Sequence, residues 1–240
     1  MARLSKKSTA SGKEQLLNPY TQGMGRVHLL SDVPMGAIVP DWWRALPQLA
    51  PVERIDNVMN QWEMVAGVHL KNTISYMREH LQDVELMSVH SMLYLLYSIK
   101  DRLGDMVYWV SGNPLAPYDN LGFAASNLDW SRVPEALRMF YQFNDGFFSF
   151  TGREGFPPAS QILCLGDYDL GIITAHNLDV KVNLPQTYSF YTNNSGGYIA
   201  VDLSDCEGDK AVVWWDEIDP TYDQDFWHVA DDWTVLMFDY

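Results

Sequence analysis

Two runs near the C-terminus, GYIAVDL (residues 197–203) and AVVWW (211–215), are joined by the polar turn SDCEGD. Aromatic and β-branched runs linked by a short Gly-containing turn predict an antiparallel hairpin. A lone hairpin is marginal in water and needs more strands or a helix over its apolar face. The chain supplies both. FFSF, QILCL, TYSFYT and FWHVA are runs of the same kind, separated by turn clusters such as NNSGG at 193–197. The last segment, ADDWTVLMFDY, opens with acids suited to capping and alternates little, which predicts a terminal helix. VPEALRMFYQFNDGF predicts a short helix, with Pro134 in its first turn. Asn144-Asp145-Gly146 is its stop, where Gly can take positive φ.

The first half has a different texture. Residues 1–50 are rich in Gly and Pro and lack a sustained period, so they predict an irregular arm. Residues 1–13 carry four basic residues and no acid, which predicts a mobile tail. Asp41–Trp43 is the expected anchor of the arm. From residue 52 to 82, Ile55, Val58, Met59, Trp62, Val65, Ala66, Leu70, Ile74, Met77 and Leu81 recur at spacings of three and four, the mark of a long helix. A second helix is expected from about Val84 to Leu103, with Met87, His90, Leu93, Tyr94, Tyr97 and Ile99 near one face. The short link predicts a helical hairpin. The Gly- and Pro-containing loop at 111–122 suggests a boundary. The expected organisation is an arm (1–50), a helical region (51–122) and an α+β region (123–240). The fold class is α+β: an N-terminal helical hairpin, then a mainly antiparallel sheet flanked by helices.

Composition bounds the function. Of 240 residues, 47% are hydrophobic, including 9 Trp and 13 Tyr, which suits a substantial core and argues against disorder. No apolar run reaches the roughly 18 residues of a membrane span. The N-terminus lacks the apolar stretch of a secretory signal. Two cysteines are too few for a disulfide framework, so a cytoplasmic protein is expected. The net charge of −15 is unevenly placed: residues 1–120 hold 11 basic and 12 acidic residues, residues 121–240 hold 5 and 19. From Asp202 onward there are 12 acids and one base, Lys210. Such a half repels nucleic acid and anionic membrane and attracts basic partners, although a solvated face is the blander reading.

WWDEIDPTYDQD (214–225) concentrates five of these acids, and three chemistries compete for them. A calcium loop would need a Glu six residues after its Gly, whereas Trp214 stands six after Gly208. Zinc would have to use Cys164, Cys206, His176 and His228, none of which has ligand spacing. Neither a metal nor another cofactor is expected. Cys206 with His228 could form a nucleophilic pair, but Asp205 and Glu207 beside the thiol would raise its pKa. Phosphate-binding and nucleophile-elbow motifs are absent. His28, His69, His80 and His90 stand singly, as ordinary histidines do. A sugar- or nucleotide-processing enzyme could use the acids with the neighbouring aromatics, but crowded carboxylates repel unless a base or a metal relieves them. No catalytic residue is therefore assigned. The remaining reading is an interaction surface made of Asp202, Asp205, Glu207, Asp209, Asp216, Glu217, Asp219, Asp223 and Asp225. Tyr222 and Trp227 are its expected aromatic anchors, with Trp214 and Trp215 as further candidates. Strand alternation puts one of Trp214 and Trp215 in the core and the other outward.

The order VPEALRMFYQFNDGF, ILCLGDYDLG, GGYIAVDL, AVVWWD and DDWTVLMFDY, from about residue 131 onward, resembles the SUKH superfamily. That superfamily includes Smi/Knr-type cell-wall regulators of yeast and bacterial toxin-immunity proteins. Where the family has Asn-Gly followed by a second Gly, this chain has Asn144-Asp145-Gly146. The helical N-terminal region has no counterpart in the resemblance. The resemblance implies a non-enzymatic binding protein of the bacterial cytoplasm that blocks a cognate toxin, such as a nuclease or another nucleotide-directed enzyme. The toxin is expected to present a basic surface, and neither nucleic acid nor membrane is an expected partner. A regulatory scaffold like the yeast relatives is the other role the resemblance allows.

Overall fold

In the computed structural model, the expected hairpin forms as β9 (Gly197–Asp202) and β10 (Lys210–Trp215), with Val213 opposite Ile199 and Trp215 opposite Gly197. The structure describes residues 10–21, 25–114, 128–151, 153–167, 180–205, 208–215 and 218–239. The remaining strands are β1 (Val27–Leu29), β2 (Leu81–Val89), β3 (Met92–Lys100), β4 (Met106–Gly112), β5 (Asp145–Ser149), β6 (Gly155–Phe156), β7 (Leu163–Cys164), β8 (Thr187–Thr192) and β11 (Thr221–Asp225). All join one antiparallel sheet in the order β1-β2-β3-β4-β5-β6-β8-β9-β10-β11, with β7 paired to β8. The helices are α1 (Ala10–Leu17), α2 (Asp41–Ala45), α3 (Pro51–Ala66), α4 (Lys71–His80), α5 (Glu135–Phe143) and α6 (Phe226–Phe238). The class is α+β with a mainly antiparallel sheet.

One face of the sheet carries the main core. Val84, Leu86, Leu95, Tyr97, Ile99, Trp109, Phe147, Ile199 and Val201 point to it and meet α2 through α6. The intervening strand residues point the other way, as the period of two requires. Met87, Val89, Leu96, Tyr108 and Val110 pack with Leu17 of α1, while Ala200, Val212 and Trp214 pack with Leu165, Val182 and Leu184. Trp62 of α3 ties the first half to the second. Its ring lies 4.8 Å from Phe147 and 5.4 Å from Phe143, and its indole N–H donates to Tyr97 Oη at 3.1 Å.

Several expectations are corrected. The long helix of 52–82 is two helices, α3 and α4, interrupted at residues 67–70. The second helix, 84–103, does not exist: it is the hairpin β2–β3, turned on His90 and Ser91. Both strands are covered on both faces, so their apolar residues run together and imitate a helical stripe. The helical pair is thus α3 and α4, which lie between β1 and β2 in the chain. The arm is only partly irregular, since β1 pairs with β2. Within the expected tail, residues 10–13 already belong to α1, and Lys13 ion-pairs with Glu85 of β2. Asp41–Trp43 opens α2, where Trp43 is buried and Trp42 stacks on Phe143. FWHVA is the first turn of α6, not a strand. The acids of ADDW do not cap α6. Asp225 does, accepting from His228 N at 2.8 Å, while Asp231 accepts from the N–H groups of Asn72 and Thr73 and so caps α4. The boundary at 111–122 falls largely outside the described residues.

Candidate partner-binding surface

The sequence places its acids at the C-terminal end of the meander, and the fold gathers the described ones around β9, β10 and the outermost strand β11. Asp202 ends β9. Its carboxylate accepts from Ser204 N at 2.8 Å, Ser204 Oγ at 2.6 Å and Asn183 N at 2.8 Å, so it holds the start of the turn. Asp209 ends the turn. Its carbonyl accepts from Phe226 N at 2.8 Å, which fixes α6 against the turn. Asp205, Asp219 and Asp223 are exposed. Asp223 sits at φ 55°, a left-handed conformation that Asp tolerates better than most residues. Asp225 is exposed too, but as the cap of α6 it also has a structural task. Glu207, Asp216 and Glu217 lie outside the described residues, as do Cys206 and His176.

Tyr222 is half-buried. Its hydroxyl accepts from Lys181 N at 3.1 Å, and Lys181 Nζ lies 5.5 Å from the centre of its ring. Lys181, Lys210, Asp202, Asp205, Asp223 and Tyr222 line a shallow depression of about 180 Å³. Lys181 was invisible as a member of this surface because it comes from a distant segment. Lys181 and Lys210 temper the negative field in the depression, while Asp205, Asp219 and Asp223 remain exposed to solvent.

The aromatic anchors need correction. Trp227 is 3% exposed and packs against Phe226, Phe156, Phe140 and His69, so it cannot meet a partner. It stands in the first turn of α6, two residues after the cap, and faces the main core. Trp214 is 1% exposed in the cluster on the other face. Trp215 is half-buried against Trp233 of α6, at 5.4 Å between rings. The sheet is covered on both faces here, so alternation sends neither tryptophan fully outward.

Two carboxyls that the sequence did not single out sit near opposite ends of the β5–β6 pair. Burial pushes Asp145 up to about 6, against the opposing effect of the Ala159 N–H it accepts at 2.7 Å. Burial also raises Glu154, which is 2% exposed. Among the described residues, no three His, Cys, Asp or Glu side chains gather into a metal site, and no helix is long and apolar enough to cross a membrane. Cys164 lies near the carbonyls of Leu184 and Pro185. Comparison with protein-family models, with curated proteins and with solved structures returns no match for this chain.

Proposed function

We propose that this chain is an immunity-type protein that binds a cationic bacterial toxin through its acidic end and blocks it. The observation that carries the reading is the exposure of Asp205 on the β9–β10 turn, Asp219 on the link into β11 and Asp223 on that outermost strand, in a half bearing 19 acids and 5 bases. Three things follow physically. A field of this sign repels phosphate and anionic lipid and draws in a basic protein surface. Enzymes that act on nucleic acid have such a surface, because they must hold phosphates. Long-range attraction raises the association rate, which suits an inhibitor that must act before damage is done. Charges on an outermost strand also discourage it from pairing with other strands, so the contact is a side-chain surface. The likeness of residues 131–240 to the SUKH superfamily supports the same reading.

Growth tests it. The toxin-like C-terminal region of a secreted protein encoded beside this chain should arrest bacteria when expressed inside them, and co-expression of this chain should restore growth. Arrest that persists despite abundant folded chain would contradict the proposal.

A further inference from the structure

A second concavity adjoins the acidic turn. It has a volume of about 550 Å³ and runs between the end of α3 and the start of α5. Its walls are apolar at helical spacing. Met64 and Val68 lie one turn apart on and just beyond α3, and Ala136 and Met139 do so on α5. These side chains are not covered: Met64 is 71% exposed, Val68 75% and Met139 48%. Surface helices normally turn polar residues outward, so two facing apolar stripes mark an unfilled contact. His69 also lines the groove, and its ring is backed by Trp227 at 4.6 Å. The rim carries Glu135 and Asp209, and no Lys or Arg is among the described lining residues. Asp209 lines this groove and the next residue, Lys210, lines the acidic depression, so the two concavities are neighbours at the start of β10.

Charge selects the occupant. A second copy of this chain brings another −15 and the same acidic rim, and it is repelled. Anionic lipid and nucleic acid are repelled for the same reason. We propose that the groove between α3 and α5 receives an amphipathic, cationic segment of the partner protein. Its apolar side chains lie between Met64, Val68 and Met139, and its basic side chains reach Glu135, Asp209 and the acidic turn. A cleft between two helices suits a third helix laid along it, and methionines adapt to the side chain they receive. The inference rests on the acidic-surface reading and adds what that surface lacks. With Trp227 and Trp214 buried, the apolar anchor points lie in this groove and not on the strands.

The test uses the full chain labelled at its methionine methyl groups, with Met64 and Met139 assigned through Met64→Leu and Met139→Leu. The probe is a synthetic amphipathic helix of Leu and Lys. A peptide with Glu in place of Lys and one with the Leu order scrambled are the controls. The Leu–Lys peptide should shift the Met64 and Met139 methyl signals, and the controls should not. Val68→Glu with Met139→Glu should weaken binding about tenfold or more while circular dichroism stays unchanged. A triple variant, Asp205→Lys, Asp219→Lys and Asp223→Asn, should weaken binding and its salt dependence while the peptide still shifts both methyl groups. Binding without methyl shifts, methyl shifts that follow protein concentration alone, or no binding up to millimolar peptide would each overturn the groove. Methyl shifts with affinity and salt dependence untouched by the triple variant would overturn the acidic surface and leave the groove standing.

Discussion

At the scale of single residues, carboxylates that look alike in the sequence have separate physical tasks. Asp202 ties a turn, Asp225 caps its own helix, Asp231 caps another, and Asp205, Asp219 and Asp223 face water. All of them add to the negative field, but only the last kind can be replaced without removing a turn bond or a helix cap. Asp145 is the opposite extreme. Its folded pKa is raised from the ordinary 3.8 to about 6 by burial. The folded state therefore holds a proton that the unfolded chain has released, and this favours folding at low pH. That contribution is complete below the unfolded value and is lost as pH rises through the folded one, by about 3 kcal/mol in all. Asp145→Asn removes the titration and keeps an acceptor for Ala159 N–H. Urea melts should show wild type losing stability relative to the variant between about pH 4 and 7. Parallel pH profiles would contradict this. The sequence shows Asn144-Asp145-Gly146 as a helix stop, and α5 does end at Phe143 with Gly146 at φ 78°. It does not show that the Asp is buried, because burial comes from strands far away in the chain.

Elements were legible where local chemistry and packing agree. α5, the β9–β10 hairpin and the body of α6 follow from period, turn residues and proline placement. β2 and β3 were not legible, for two reasons. Their residues are buried on both faces, so no clean alternation survives. Their turn uses His90 at φ 55°, where Gly or Asn would have signalled a hairpin. The break between α3 and α4 was hidden in another way. Leu70, which precedes α4, offers no side-chain cap, and the cap arrives from Asp231, 158 positions from Thr73. This makes α4 depend on α6. Asp231→Ala should destabilise the protein by about 2 kcal/mol, because two N–H groups lose their acceptor. Asp231→Asn, which keeps one acceptor, should cost less. Chemical denaturation checks both, and a neutral Asp231→Ala would mean that the α4 terminus is satisfied in some other way.

At the scale of the whole molecule, one sheet runs from the arm to the acidic end, and Trp62 sits where the halves meet. It touches Tyr97 of β3, Phe140 and Phe143 of α5 and Phe147 of β5. Trp62→Ala should cost about 3–5 kcal/mol. It should lower one shared transition, seen alike by circular dichroism and by tryptophan fluorescence; separate transitions for the two halves would contradict that coupling. The charge asymmetry was plain from the sequence, since it needs only counting. The position of the apolar groove was not, because Met64 and Met139 are 75 positions apart in the sequence and face one groove only once α3 and α5 are packed together.

The measurement closest to the central claim is the association rate with the cognate toxin, at low and at physiological salt. Wild type should associate fast and slow steeply as salt rises, because screening shortens the reach of the acidic field. The variant carrying Asp205→Lys, Asp219→Lys and Asp223→Asn leaves the cap at Asp225 intact, and it keeps at 223 a residue that tolerates positive φ. It should fold normally, associate more slowly and lose most of its salt dependence. A folded variant with an unchanged association rate at both salt concentrations would contradict the account, and these carboxylates would then be only a solvated face.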